Sequence, residues 1–199
     1  MRTSNYIIWE HAELYTSYGV ADAWMIKKEY DLMHRFESTL SFAGMLEGKS
    51  YQEKPVDMQL MENPSSKVVK MSFRQNLGQE PRTALYNPMA CLCKTSGERV
   101  FAKDLKPGDL LVAIGSEVRV EYVELMDYKS STWYILTTAG LSPNIFINLL
   151  LTFPTALDEV ANFEVELDSE EAAAIEYKTE DEMPFAEVVG KVDPAVYTR

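Results

Sequence analysis

Two hydrophobic periods divide this chain. From Gly19 onward Ile26, Tyr30, Met33, Phe36 and Leu40 recur at three- and four-residue steps, while Lys27, Lys28, Glu29, Asp31 and Arg35 fill the other positions. That spacing predicts an amphipathic helix, ended by Gly44 and Gly48. The segment before it, Ile7 to Tyr18, fits helix or extended chain equally. Val56, Met58 and Leu60, then Val69, Met71 and Phe73, alternate with mostly polar residues on either side of Asn63-Pro-Ser-Ser66, which predicts a β-hairpin. Gly78-Gln-Glu-Pro81 reads as a connector and puts a boundary near residues 76–86.

Beyond it the period is two. Strands are predicted over Ala90 to Lys94, Leu110 to Ile114, Val118 to Met126, Trp133 to Thr138 and Ile145 to Phe153, with turns at Thr95-Ser-Gly97, Lys106-Pro-Gly-Asp109, Gly115-Ser116 and Ala139-Gly140. After Pro154 acidic residues accumulate. There Phe163, Val165 and Leu167 alternate as a strand would, and a short helix is expected over Ser169 to Ile175. The expected class is α+β: a helical and hairpin region (1–80), a strand-rich β unit (81–155) and an acidic segment packed on the rest (156–199).

Composition narrows the partners. The chain has 199 residues, 46 % apolar, which suits a folded protein. A formal charge of -12 opposes attraction to phosphate backbones and anionic lipid, so neither nucleic acid nor membrane is expected as partner. The longest apolar stretch, Ile145 to Phe153, falls below the ~18 to 20 residues that cross a bilayer. The first residues lack a basic region followed by an apolar core, so synthesis in the cytoplasm without an export signal is expected.

Candidate chemistry is sparse. Cys91 and Cys93 on one strand point to the same face about 6 to 7 Å apart, beyond the Cβ separation of about 3.8 Å that a disulfide prefers. His11 and His34 have no ligand spacing, so no metal and no cofactor is expected. Phosphate loops, dinucleotide fingerprints and calcium loops are missing, as is a defined small-molecule substrate motif.

The run Thr95-Ser-Gly-Glu-Arg-Val-Phe-Ala-Lys-Asp-Leu-Lys-Pro-Gly-Asp-Leu-Leu-Val, with Tyr134-Ile-Leu-Thr-Thr-Ala-Gly-Leu and Asn144-Ile-Phe-Ile-Asn-Leu-Leu-Leu-Thr, resembles Hint domains, the β fold shared by inteins and the hedgehog autoprocessing module. The resemblance, over about residues 85–153, implies that Leu105 anchors a turn in which Pro107 fixes φ, Gly108 permits reversal and Asp109 opens the next strand. It also implies a nucleophile near Leu85 or Tyr86 and a Thr-x-x-His after the later strand. Leu85 and Tyr86 cannot attack a carbonyl, and Thr137 and Thr138 are followed by Gly140 and Leu141. The terminal His-Asn pair of splicing is replaced by Val196-Tyr-Thr-Arg199.

On these grounds the expected function is a non-enzymatic structural or assembly subunit of a tailed-phage virion. Its inert Hint-like unit would dock other protein subunits through core or interface anchors Trp24, Tyr30, Phe36, Leu105, Trp133 and Phe146. The alternatives are a self-processing Hint-type enzyme with a displaced nucleophile at Cys91 or Cys93, and an acidic adaptor or inhibitor of a basic protein.

Overall fold

The computed structural model describes residues 2–62, 66–76, 78–127, 131–141 and 143–163. Its elements are β1 (Thr3–Trp9), β2 (Glu13–Thr16), β3 (Gly19–Asp22), α1 (Ala23–Met33), β4 (Phe42–Leu46), β5 (Lys49–Met61), β6 (Lys67–Arg74), β7 (Arg82–Tyr86), β8 (Cys91–Cys93), β9 (Arg99–Phe101), a 3-10 turn (Ala102–Asp104), β10 (Leu110–Ala113), β11 (Ser116–Asp127), β12 (Trp133–Ala139), β13 (Ile145–Ile147) and β14 (Leu150–Phe153). A second helix, α2, covers residues 157–163.

The fourteen strands form one hydrogen-bonded network with the path β1-β12-β5-β4-β2-β13-β14-β10-β11-β6-β7. This order is an internal duplication. In one half β5 is flanked by β4 and β12, and β12 continues to β1. In the other β11 is flanked by β10 and β6, and β6 continues to β7. Individual bonds repeat too. Ala12 N–H donates to Trp9 O, Ala23 N–H to Ala12 O and Trp24 N–H to Glu10 O, as Ala90 N–H does to Asn87 O, Ala102 N–H to Ala90 O and Lys103 N–H to Pro88 O. The β13–β14 hairpin lies between the halves, β13 against β2 and β14 against β8 and β10.

The expected hairpin of Val56–Leu60 with Val69–Phe73 is corrected. Both segments are strands, but β5 pairs with β4 and β12, and β6 with β11 and β7. Alternation reports which face of a strand is buried and is silent about its neighbour. The exchange joins strands from both sides of residues 76–86 into one sheet. The helix is also shorter than its periodicity suggested. It stops at Met33, where His34 takes a left-handed conformation (φ 56°). Phe36 then folds back so that its ring lies 4.5 Å from that of Tyr30, which mimics the next helical step. Gly44 falls inside β4, and Gly48 (φ 76°) turns β4 into β5. Phe163 lies in α2 and not in a strand, while Val165, Leu167 and the expected helix over Ser169 to Ile175 lie outside the described residues.

The core runs through both halves. Trp9, Tyr6, Phe42, Phe73, Leu92, Leu111, Leu136 and Ile145 are among its fully buried side chains. Trp133 is 2 % exposed and Trp24 is 38 % exposed. Truncating an aromatic in a close-packed core costs about 3–5 kcal/mol, whereas an exposed one costs little. Trp133→Ala is therefore expected to lower the unfolding free energy measured in urea by that amount and Trp24→Ala to leave it almost unchanged. Equal losses would contradict the placement.

Candidate functional site

Three polar or thiol-bearing clusters hold the chemistry-bearing side chains, and all three adjoin the β13–β14 hairpin. In the first, Glu53 of β5 is 1 % exposed. It accepts hydrogen bonds from Thr138 Oγ1 and, at 3.4 Å, from Asn144 N–H. The Asn144 amide acts as a substitute peptide unit, since its Oδ1 accepts from Met45 N at 2.6 Å and its Nδ2 donates to Met45 O at 2.8 Å. Gly44 is required beside it, because a Cβ there would stand 2.4 Å from Asn144 O. Gly140 is required for a similar reason: a Cβ would meet Tyr51 Oη at 2.8 Å and Glu53 Cγ at 3.0 Å. Of the two positions where an imidazole was sought, Gly140 has no room for a side chain unless Tyr51 and Glu53 shift, and Leu141 is exposed.

In the second cluster Glu13 of β2 accepts from Arg82 Nη2 at 2.6 Å and from Tyr15 Oη at 3.3 Å. Its backbone exchanges two 2.9 Å bonds with Asn148, N–H to Oδ1 one way and Asn148 N–H to Glu13 O the other. Asn148 and Leu149 both have positive φ, 49° and 78°, in the β13–β14 turn. Tyr86 Oη donates to Ile147 O at 2.8 Å. Burial, with the neighbouring Tyr15 adding to it, lifts the Tyr86 hydroxyl well above its ordinary value, and burial with the Glu13 charge lifts that of Tyr15 to about 12. Both phenols serve as donors and not as bases.

The third cluster is one face of the β9-β8-β14 ladder. Cys91 pairs in register with Phe153 on one side and Phe101 on the other, and Cys93 with Arg99. Because side chains opposite each other on antiparallel strands share a face, Cys91, Cys93, Phe153, Arg99 and Phe101 lie together. The Arg99 guanidinium carbon is 3.8 Å from the Phe153 ring centroid. Both thiols are free, Cys91 half-buried and Cys93 buried. Burial pushes both thiols up, against the lowering field of Arg99; for Cys91 the neighbours Cys93 and Glu159 add to the rise.

The remaining sequence-predicted residues scatter. Leu105, Trp133 and Phe146 are buried, and Tyr30 and Phe36 are half-buried against the core. Those two line a groove of about 370 Å³ beside α1, which neither thiol nor Glu53 lines. Trp24 is exposed, with its indole N–H on Asp22. Pro107, Gly108 (φ 95°) and Asp109 form a turn in which Asp109 Oδ2 accepts from Lys106 N–H at 2.9 Å. Leu85 and Tyr86 are interior positions of β7. His11 meets Glu10 at 3.3 Å and stacks edge-on against Trp9, and His34 is an exposed helix cap. Among the described residues no group of three or more His, Cys, Asp or Glu is arranged to hold a metal ion.

Sequence reasoning missed Glu13, Glu53 and Arg82: Glu13 and Arg82 open their strands, and Glu53 stands among the polar residues of β5, where one more charge gives no signal. It also missed that Thr83-Ala-Leu-Tyr86 has the sought Thr-x-x spacing, with tyrosine in place of imidazole.

No family model matches the sequence, and no curated protein matches it. Solved structures do. The TvoVMA intein superposes with a TM-score of 0.58 at 16 % identity, covering 75 % of this chain and 97 % of its own. The bacterial intein-like domain from Clostridium thermocellum gives 0.56 at 12 % identity, covering 77 % and 99 %. The transcription factor IIB Mvu mini-intein gives 0.55 at 11 %, covering 73 % and 99 %. This chain carries a Hint-like β unit. The likeness takes in far more of the chain than the motifs in 85–153 did. Each of these neighbours is an intein or an intein-like domain, which overturns the expectation of a non-enzymatic virion subunit.

Within this Hint-like unit Glu53 yields a pH prediction. Burial holds its carboxyl above the ordinary 4.5, so the folded state binds this proton more tightly than the unfolded chain. Its stabilising share is complete below about pH 4.5 and is lost as pH rises through the raised folded value. Glu53→Gln keeps an acceptor for Asn144 N–H and removes the buried charge. The variant is expected to be more stable than the parent at pH 7 and less so at pH 4, measured by urea melts across that range. A parallel offset at every pH would sink the assignment.

Proposed function

We propose that the chain is a self-processing Hint-type domain that cuts its own backbone between Phe153 and Pro154, with Cys91 as a nucleophile displaced from the family's usual station. The observation that carries this is the register pair of Cys91 with Phe153 at the last residue of β14. The fold shared with inteins supports it. Phe153–Pro154 is favoured over the next bond for a physical reason. Pro154 has no N–H to commit to the ladder, whereas Thr155 N–H is tied to Asn5 O at 2.8 Å.

The step balances without a cofactor. Cys91 Sγ attacks the Phe153 carbonyl carbon, an S–C bond forms, and the C–N bond to Pro154 breaks. The thiol proton ends on the Pro154 nitrogen, which leaves as a secondary amine heading residues 154–199. Water then hydrolyses the thioester and restores the thiol, so the outcome is cleavage and not splicing. The thiolate is the nucleophile, and burial holds the Cys91 thiol above 9.0, so the rate should climb as pH passes that value.

Intact-mass measurement after incubation with a strong thiol at pH 7 and pH 10 tests this. The expected result is a fragment of residues 154–199, about 5 kDa in proportion to the 22.6 kDa whole, forming at least about tenfold faster at the higher pH. Cys91→Ala should abolish it and Cys93→Ala should not. A 22.6 kDa species that persists at both pH values, as in Cys91→Ala, would remove the proposal.

A further inference from the structure

Arg99 is in no ion pair with a carboxylate among the described residues, yet its guanidinium lies over the ring of Phe153, the residue whose carbonyl is attacked. It reaches there across β8, from its own register position opposite Cys93 to the Phe153 ring at 3.8 Å. A planar guanidinium stacks on an aromatic face and keeps its N–H donors free at the edge. Here the guanidinium shares one sheet face with the Phe153 ring and with Cys91, whose thiol feels its charge. Three ionisable groups bear on Cys91: Arg99 from β9, Cys93 from its own strand and Glu159 from α2. Phe153 and Phe101, its strand partners, carry no charge.

Resting on the cleavage reading above, we propose that Arg99 is the positioning residue of the step. It clamps the Phe153 ring so that the carbonyl stays against the thiol, and it sets a fixed positive charge beside both the thiolate and the oxyanion that forms on attack. A preorganised cation at developing charge acts on the transition state and not only on binding. The stack and the charge are separable, because lysine supplies the second without the first.

The experiment uses the full chain with Cys93→Ser, and reads two quantities: alkylation of Cys91 by iodoacetamide against pH, and release of residues 154–199. Arg99→Ala is expected to move the alkylation midpoint up by about one pH unit and to slow release about tenfold or more. Arg99→Lys should restore the midpoint while release stays slow, and Phe153→Leu should slow release with Arg99 intact. An unchanged midpoint in Arg99→Ala, or full release in Arg99→Lys, would overturn the positioning role. If the parent chain releases no fragment while the Arg99→Ala midpoint still moves, the cleavage reading fails and the Arg99–Cys91 coupling stands.

Discussion

Neither half of this protein can complete its own sheet. β6 follows β5 in sequence but fills the gap between β11 and β7, and β12 follows β11 but fills the gap between β5 and β1. Each inserted arm satisfies two rows of backbone donors and acceptors that would otherwise face solvent or a foreign strand. The halves are thereby interlocked by main-chain hydrogen bonds and not only by apolar contact. Contacts of this kind join residues far apart in sequence, such as Thr3 with Ala139, so the loop-closure cost precedes the stabilisation they bring. The core that spans both halves can form only after the exchange.

The buried carboxylates make sense against that constraint. The β13–β14 hairpin must sit in one register between the two halves, and each end of it is held by an asparagine working with a buried glutamate. Asn144, ahead of β13, engages Glu53 and Met45; Asn148, in the turn, engages Glu13. Glu13 is neutralised by Arg82, while Glu53 has Thr138 and a backbone N–H among its partners and carries a raised carboxyl. Apolar packing alone tolerates sliding by two residues, since that keeps the same faces inward. A side-chain amide that stands in for a peptide unit does not tolerate it, because a shift of two residues would leave buried donors unpaired.

How much of this was legible in the sequence follows from what each signal encodes. Turns were readable because their residues are needed locally: Gly97 (φ 91°), Gly108 (φ 95°) and Gly115 (φ 68°) all sit at left-handed positions. Strands were readable because Val56–Leu60 and Val69–Phe73 alternate. The arm exchange was not, since pairing partners leave no mark on a single strand. The duplication was faintly present in Ala12, Leu14, Gly19 and Ala23 against Ala90, Leu92, Gly97 and Ala102, but half one inserts α1 where half two has only the 3-10 turn, which hides the repeat. The thiol site was half visible: the strand and the shared face of Cys91 and Cys93 follow from their spacing, whereas Phe153 as partner requires the register of β14.

The duplication also explains why chemistry would settle in one half. Glu13 and Tyr15 occupy the stations that Cys91 and Cys93 occupy in the other half, each pair next to the hairpin and each near an arginine, Arg82 or Arg99. In half one the acid and the base neutralise each other, and the ion pair is consumed in fixing the turn at Asn148. In half two the thiols leave the arginine without such a carboxylate at that station, and its charge bears on sulfur and on the last residue of the sheet. Position matters as much as reactivity. Among the described residues all fourteen strands lie on the amino-terminal side of Pro154, so a cut at that bond leaves every one of these ladders and both interlocking arms in place. A nucleophile at any earlier strand end would sever a strand from the network that holds the nucleophile itself in place.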